Sequence, residues 1–439
     1  MKHKLLLFVL LTASLPIFAT GSIKERLSPN ETLWFTYPAL NWSEQALHIG
    51  NGYMGASFYG VVEIERFDIA EKTFWTGGRH SVPDFNYGVV KGGKDKIAAI
   101  RRSITDRRFA EADSLSRLYM VGDYTNYGYF SMVGNLFVDF GKKNQPVQNY
   151  LRGIDLSTSR GFVEYTQGDV RFNREYFCSY PDKLMALHFT ADQKGKISFS
   201  LSHSLVYQPE KVTEGKDELI FNGIIQGNGL GYTIRMKVLH QGGSIKVGHQ
   251  QITVEGADEA TVFYTVDTEY SPVYPLYKGE KPRQTTEKII KSAITKGYET
   301  VKHTHISDYQ TLYNRVKFTL SGDTASEKLP TDIRVKQLQQ GFTDDASLKV
   351  LWFNLSRYLL ISASRPGTLP SNLRGVWNTF EKAPWNGNFQ SNINLQEMYW
   401  GCGPTQLPEC EEAYLEWIEG LVEPGRKTAG EYYGTKGLS

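Results

Sequence analysis

Cysteine, methionine and surplus charge are what this sequence has least of, and each shortage excludes something. Three cysteines and seven methionines in 439 residues leave no disulfide framework to stand in for a core. Lys and Arg number 49 against 47 Asp and Glu, a net charge of +2, so the overall balance gives no reason to expect nucleic acid or an anionic membrane as partner. No C-x-x-C or H-E-x-x-H pattern occurs and the nine His are unclustered, so neither metal nor organic cofactor is expected. Walker A, G-x-S-x-G and kinase signatures are missing too, which removes the commonest phosphate and acyl-transfer chemistries. Gly50-Asn-Gly52-Tyr-Met-Gly55 does satisfy G-x-G-x-x-G. A dinucleotide site needs a helix next, whereas Ala56-Ser-Phe-Tyr-Gly60 continues as a strand, so the segment reads as a glycine-rich β turn.

Apolar runs are short as well. Leu5 to Leu11 follows Lys2, His3 and Lys4 and precedes Ala19-Thr20-Gly21. Those are the length and flanks of an export signal, since a membrane span needs roughly 20 apolar residues. Residues 1–21 are expected to be removed from a secreted or periplasmic protein, and no later run is long enough to span a membrane.

Aromatic side chains supply 13% of the chain and glycine 41 positions. That richness fits a large β core and also stacking on sugar rings. At roughly 150 residues per domain the length corresponds to about three domains. From Leu33 to Asp267 short alternating runs such as Leu136-Phe-Val-Asp-Phe140 and Tyr232-Thr-Ile-Arg-Met-Lys-Val238 predict an antiparallel sandwich. One helix is expected over 94–119, with Ile97, Ile100, Ile104 and Phe109 on one face and Arg and Lys opposite. Cys178, at the end of an alternating run, reads as a buried core residue. Cys402 and Cys410 read as structural too, with a disulfide between them as the alternative.

After Pro282 the period changes to helical. One helix, capped by Thr285 or Thr286, is predicted to end at Gly297, and a second to carry Tyr298, Val301, His305, Tyr309, Leu312 and Val316 inward. Residues 321–347 read as polar loop. Leu348 then opens a helix with Leu351, Trp352, Leu355, Leu359 and Ser362 on its inner face. A further helix runs from Cys410 to Leu421, with Trp417 and Ile418 inward, and Pro424 begins another that Gly434 ends. So few helices cannot close a helical barrel, and the α part is expected to be incomplete at Ser439.

The chemistry is expected between residues 362 and 400. There Asn372, Asn378, Asn386, Asn388, Gln390, Asn392, Asn394 and Gln396 alternate with Trp377, Trp385, Tyr399 and Trp400. Amides both donate and accept toward sugar hydroxyls, and indoles pack on ring C–H faces, so the composition points to an oligosaccharide or glycan partner. Turn formation accounts for the Asn and Gly residues but does not call for four large aromatics.

These motifs resemble glycoside hydrolase family 95, the inverting α-L-fucosidases. The resemblance rests on Ser364-Arg-Pro-Gly-Thr-Leu-Pro-Ser-Asn-Leu-Arg-Gly-Val-Trp-Asn378, Pro384-Trp-Asn386 and Asn392-Ile-Asn-Leu-Gln-Glu-Met-Tyr-Trp400. Earlier stretches join it, including Phe67-Asp-Ile-Ala-Glu-Lys-Thr-Phe-Trp-Thr-Gly-Gly78 and Asn149-Tyr-Leu-Arg-Gly-Ile-Asp-Leu156. The resemblance implies a β super-sandwich over 22–280, a helical linker over 281–320 and the truncated start of an (α/α)6 catalytic barrel over 321–439. It implies that Asn392 and Asn394 position the hydrolytic water, and that Gln390, Trp377, Asn378 and Trp385 bind the sugar. An amide is a negligible base, so inversion also requires a carboxylic acid and a polarising carboxylate. In the family both lie well downstream of this motif, and neither is expected before Ser439. Glu397 reads instead as a helix-start residue. Gln390 stands where the family's fucosidases carry His, which leaves an α-L-galactosidase or other L-sugar hydrolase as one alternative. A catalytically incomplete, glycan-binding remnant is the other.

Overall fold

The computed structural model describes residues 27–81, 86, 88–122, 127–141 and 145–438. The expected export signal lies outside them. The strands in chain order are β1 (Thr32–Phe35), β2 (Leu47–Gly50), β3 (Met54–Phe58), β4 (Ile64–Trp75), β5 (Phe130–Asp139), β6 (Val147–Asp155), β7 (Arg160–Gln167), β8 (Val170–Ser179), β9 (Leu184–Ala191), β10 (Ile197–Leu205), β11 (Lys211–Glu214), β12 (Glu218–Ile224), β13 (Gly231–Gln241), β14 (Ser244–Gly248), β15 (Gln251–Ala257) and β16 (Glu259–Thr268). They form two antiparallel sheets, one of nine strands in the order β1-β6-β7-β8-β9-β16-β13-β12-β11 and one of seven in the order β14-β15-β10-β5-β4-β3-β2.

The alternating pattern becomes packing directly. Phe67, Ile69, Leu136, Val138 and Leu201 of the seven-stranded sheet face Tyr176, Leu187, Ile234, Val262 and Tyr264 of the other, all in one core. Two charged groups caught between the sheets, Arg174 and Glu65, find partners there. Arg174 donates to Val61 O (2.7 Å) and the Tyr165 hydroxyl (2.8 Å), and Glu65 accepts from the amides of Tyr59 and Gly60.

The helices are α1 (Trp42–Gln45), α2 (Gly93–Thr105), α3 (Phe109–Tyr119), α4 (Pro282–Tyr313), α5 (Thr331–Gln339), α6 (Ala346–Ala363), α7 (Asn394–Tyr399), α8 (Pro408–Gly420) and α9 (Val422–Tyr433). Gly297 interrupts α4 at φ 72°, ψ 166°, so it is two helical segments meeting at the residue where the sequence predicts a stop. This helix covers the outer face of the nine-stranded sheet, burying Ile290, Ala293, Tyr298 and Val301 against Phe177, Leu184, Ala186 and Phe263. That cover explains why Phe177, Leu184 and Ala186, on the outer face of β8 and β9, are apolar. Cys178, Cys402 and Cys410 are all buried and free, so the alternative of a 402/410 disulfide is not realised.

Four expectations need correcting. The single helix over 94–119 is two, because Arg107 turns left-handed (φ 58°) between them, and Ile104 and Phe109 are exposed. Residues 321–347 contain α5, whose short polar sequence hides one decisive contact. The buried Arg334 grips buried Asp345 through two bonds (2.8 and 2.9 Å), and Asp345 in turn caps α6 at Leu348 N. In α6 the inner face is Leu351, Asn354, Tyr358 and Ile361, so Trp352 falls on the outside, 68% exposed. In α8, Cys410 and Ala413 are buried, whereas Ile418 is 40% exposed.

One ionic cluster fastens α4 to the sheet. Burial by itself would raise Glu175, but Arg160, Lys302 (2.9 Å) and the Tyr298 hydroxyl outweigh it and hold the carboxyl at about 2. Because this folded value lies below the ordinary 4.5, its stabilisation is present above pH 4.5 and is lost as pH falls toward 2. Glu175→Gln is expected to cost on the order of 3 kcal/mol at neutral pH and to flatten the acid limb of stability between those values. Denaturant titrations at several pH values would show it; an unchanged acid limb would remove the cluster from this role.

Candidate active site

The amide-rich segment begins where α6 ends. Ser364 caps that end, its hydroxyl donating to Cys410 O (2.8 Å) and pairing with the Tyr399 hydroxyl (2.7 Å). Tyr399 also accepts from Ser371 N (2.8 Å), so one buried phenol ties both ends of the 364–371 loop to α7. Arg365 bonds Asp308 of α4 (2.8 Å) and lies 3.9 Å over the ring of Tyr180. From the sandwich, Lys72 donates to Leu369 O (2.5 Å).

Trp377 and Asn378 follow, and both are buried. The Trp377 indole donates to Ile49 O (2.8 Å), and Asn378 closes on its own chain through Phe380 N and O. Trp377 therefore holds the loop against the sandwich, Asn378 braces the loop on itself, and both side chains are turned away from solvent. Phe380 O accepts from Met132 N, and Ala383 N donates to Phe130 O, which carries the segment along the edge of β5.

The chain then bends through strained backbone. Trp385, Asn386 and Gln390 have φ of 57°, 58° and 48°, a left-handed conformation that costs a bulky residue such as Trp of order 1–3 kcal/mol. Trp385 is 81% exposed, so no burial of its ring repays this. Between the strained residues Phe389 is held in an aromatic column, 5.6 Å from Trp75 of β4 and 5.0 Å from Trp417 of α8. Asn388 donates to the Tyr127 hydroxyl (2.9 Å), leaving its own carbonyl oxygen buried and unpartnered.

Asn392 and Asn394 lie at the surface, the second opening α7. Neither amide bonds a described residue through its side chain. Their backbone is fixed from below by buried Leu395 and Tyr399, and Leu395 N bonds Gln390 O (3.3 Å). Gln390, Asn392, Asn394 and Trp385 thus share one short, surface-facing stretch, while Trp377 and Asn378 are buried. Glu397, one turn into α7, is exposed.

A separate polar cleft of about 200 Å³, counted with its open mouth, lies beside the Arg365–Asp308 pair and is lined also by Asn51, Tyr180, His305 and Ser362. It holds neither Asn392 nor Asn394. Burial pushes His305 down to about 4, and its Nε2 bonds the carbonyls of Thr158 and Ser159, so it is a neutral structural donor. Among the described residues no group of three His, Cys, Asp or Glu is arranged to hold a metal ion.

Sequence reasoning overlooked Lys72, Tyr399 and Trp75 as organisers of this loop. A signal was present for Lys72: Glu71-Lys72 is a charge pair inside the apolar strand Ile69-Ala-Glu-Lys-Thr-Phe-Trp75. Burial pushes Lys72 down to about 7 and Glu71 up to about 8.

Comparison with known proteins comes to the same region. Residues 33–272 match the family described as glycosyl hydrolase family 65, N-terminal domain, and residues 297–439 match the glycosyl hydrolase family 95 catalytic domain. Alpha-L-fucosidase 2 of Arabidopsis thaliana is 31% identical over 435 residues, covering 92% of this chain and 50% of that protein. A probable alpha-fucosidase A of Aspergillus niger is 29% identical, covering 92% and 52%. The chain thus spans about half the length of the curated relatives it matches. Among solved structures, a putative kojibiose phosphorylase from human microbiome superposes with a TM-score of 0.52 at 11% identity, over 92% of this chain and 50% of that one. That likeness concerns the fold alone, a sandwich followed by helices.

The buried Lys72 gives the loop anchor a pH signature. A lysine whose folded value falls from 10.5 to about 7 is penalised below pH 7, and the penalty fades as pH rises toward 10.5. Glu71 acts with the opposite sign between pH 4.5 and about 8, so the window above 8 belongs to Lys72. Wild-type stability is expected to gain a few kcal/mol from this group between pH 8 and 10.5 relative to Lys72→Met. Parallel unfolding curves for the two proteins would sink the assignment.

Proposed function

The chain belongs to glycoside hydrolase family 95, with a family 65-type domain over residues 33–272, and on that premise we propose that it removes terminal α-L-fucosyl residues from glycans by inversion. The observation that carries this reading is the strained stretch 385–394, which presents one indole and three amides to solvent on a base buried in the core. In this reading Asn392 and Asn394 hold the attacking water, their carbonyl oxygens accepting its hydrogens and orienting a lone pair toward the anomeric carbon. Trp385 offers an apolar face to the sugar ring, and Gln390 bonds its hydroxyls. Trp377 and Asn378, buried earlier in the same loop, act by fixing its path.

Amides cannot take the proton that the water loses, nor give one to the leaving group. Those steps need two carboxyl groups on opposite sides of the scissile bond, with room for the water between. On the family resemblance they come from sequence downstream of this motif, and none of the described carboxylates is assigned to either role. The same resemblance makes 281–320 a linker and α5 to α9 part of an (α/α)6 barrel. Export is proposed on the basic start and the short apolar run at residues 2–11; no described helix is long and apolar enough to cross a membrane.

Gln390 favours a second substrate. Its left-handed backbone places an amide where the family's fucosidases carry His, which suits an L-sugar with a hydroxyl in place of the fucose methyl, as in an α-L-galactoside. Hydrolysis of aryl α-L-fucoside and aryl α-L-galactoside, with the anomer first released read by NMR, separates the two. Inversion is expected, and a retained anomer would overturn the mechanism. In a chain extended through the downstream carboxylates, Asn394→Ala is expected to lower turnover at least about a hundredfold with an unchanged melting curve. Wild-type-like turnover would remove Asn394 from the site, and robust turnover by the 439-residue chain alone would show that the acid lies within it.

A further inference from the structure

The charge of +2 for the whole chain conceals a local excess. Residues 91–119 hold eight Lys and Arg against four Asp and Glu, a surplus of four, larger than that of the entire protein. They form the α2–α3 hairpin inserted between β4 and β5. Its base is fixed: Gly93 lies so close to Tyr432 of α9 that an added Cβ would come within 2.9 Å of that ring, and Val90 N donates to the Tyr432 hydroxyl.

The tip is different. In α2 the buried positions are Gly93, Ile100 and Ser103, and in α3 Ala112. Ile104 and Phe109, on either side of the turn at 106–108, are 51% and 63% exposed. Arg101, Arg102 and Arg107 each stand within three residues of Ile104 in the chain, exposed and without a carboxylate partner among the described residues. Arg108 alone of the four is neutralised, by Asp106 and Glu111. Exposed apolar side chains are common singly. Two of them at the exposed tip of a hairpin that also carries unpaired guanidiniums match a surface that is anionic outside and apolar beneath.

We propose that this tip is a docking surface for an anionic lipid bilayer, with Ile104 and Phe109 entering the headgroup layer and Arg101, Arg102 and Arg107 meeting lipid phosphates. An acidic polysaccharide would satisfy the arginines and leave the apolar pair in water, so the bilayer is the better fit. The surface is independent of the glycosidase reading, since none of its residues lies in the 385–394 stretch.

Co-sedimentation of the purified chain with phosphatidylcholine vesicles, with and without about 30 mol % phosphatidylglycerol, tests it. At low salt the anionic vesicles are expected to bind at least about tenfold more tightly than the neutral ones, and high salt to abolish the difference. The triple variant Arg101→Glu, Arg102→Glu, Arg107→Glu is expected to lose that preference. Ile104→Ser with Phe109→Ser is expected to weaken binding several-fold, with an unchanged melting curve in both cases. Equal binding to both vesicles, no binding, or binding indifferent to the arginines overturns the proposal. Tight binding to dextran sulfate together with vesicle binding unmoved by the serine pair would assign the tip to a soluble polyanion instead.

Discussion

The arrangement depends on a place where the sandwich has no side chains. Gly50, Gly52 and Gly55 make the turn and flanks of the β2–β3 hairpin, and the segment leaving α6 lies directly on them. Gly52 N donates to Ser362 O (2.8 Å). A Cβ at Gly50 would stand 2.7 Å from that same oxygen, and one at Gly55 2.8 Å from the Trp377 indole. Backbone therefore meets backbone at the seam between sheet and helices, and the Trp377 indole reaches Ile49 O. From there the path of the chain to Asn378, along β5 and into the strained 385–390 bend is constrained at each step. The glycines that mimic a nucleotide motif are the floor on which the candidate site rests.

Around that floor the seam is fastened by charges that burial makes costly to leave unpaired. Lys72 reaches from β4 to Leu369 O and Arg365 from the loop to Asp308, while away from that floor Arg334 of α5 grips Asp345 at the start of α6. Such pairs add little net stability against apolar substitutes but penalise any misaligned docking heavily, because a displaced partner strands a charge away from water. The proposed holding of water and sugar needs that kind of register more than it needs extra stability.

How much of this was legible follows physical lines. The sheet-then-helix order was readable, because alternation and the 3.6 period are local. The break at Gly297 was readable because it rests on one residue's backbone freedom. The inner face of α6 was not. Trp352 is as apolar as Leu351, and only the position of α4 and the sandwich decides which is covered. Helix α5 escaped notice because its stability comes from Arg334 meeting Asp345 and Pro29 O, partners outside any local pattern. In the 94–119 hairpin the cations were readable, but the exposure of Ile104 and Phe109 was not, because it follows from the turn at Arg107 that breaks the expected single helix.

The sequence by itself determined which segment is dense in amides and indoles, since composition is local, and the resemblance carried by Asn392-Ile-Asn394. It left Trp377, Asn378, Trp385 and Gln390 as equal candidates for holding the sugar. Only the tertiary structure separated them, burying Trp377 against the glycine floor and Asn378 within its own turn, and turning Trp385 outward with Asn392 and Asn394. Burial is not a property of a residue but of what the rest of the chain lays over it, and here that was the face of a sheet more than 300 positions away in sequence.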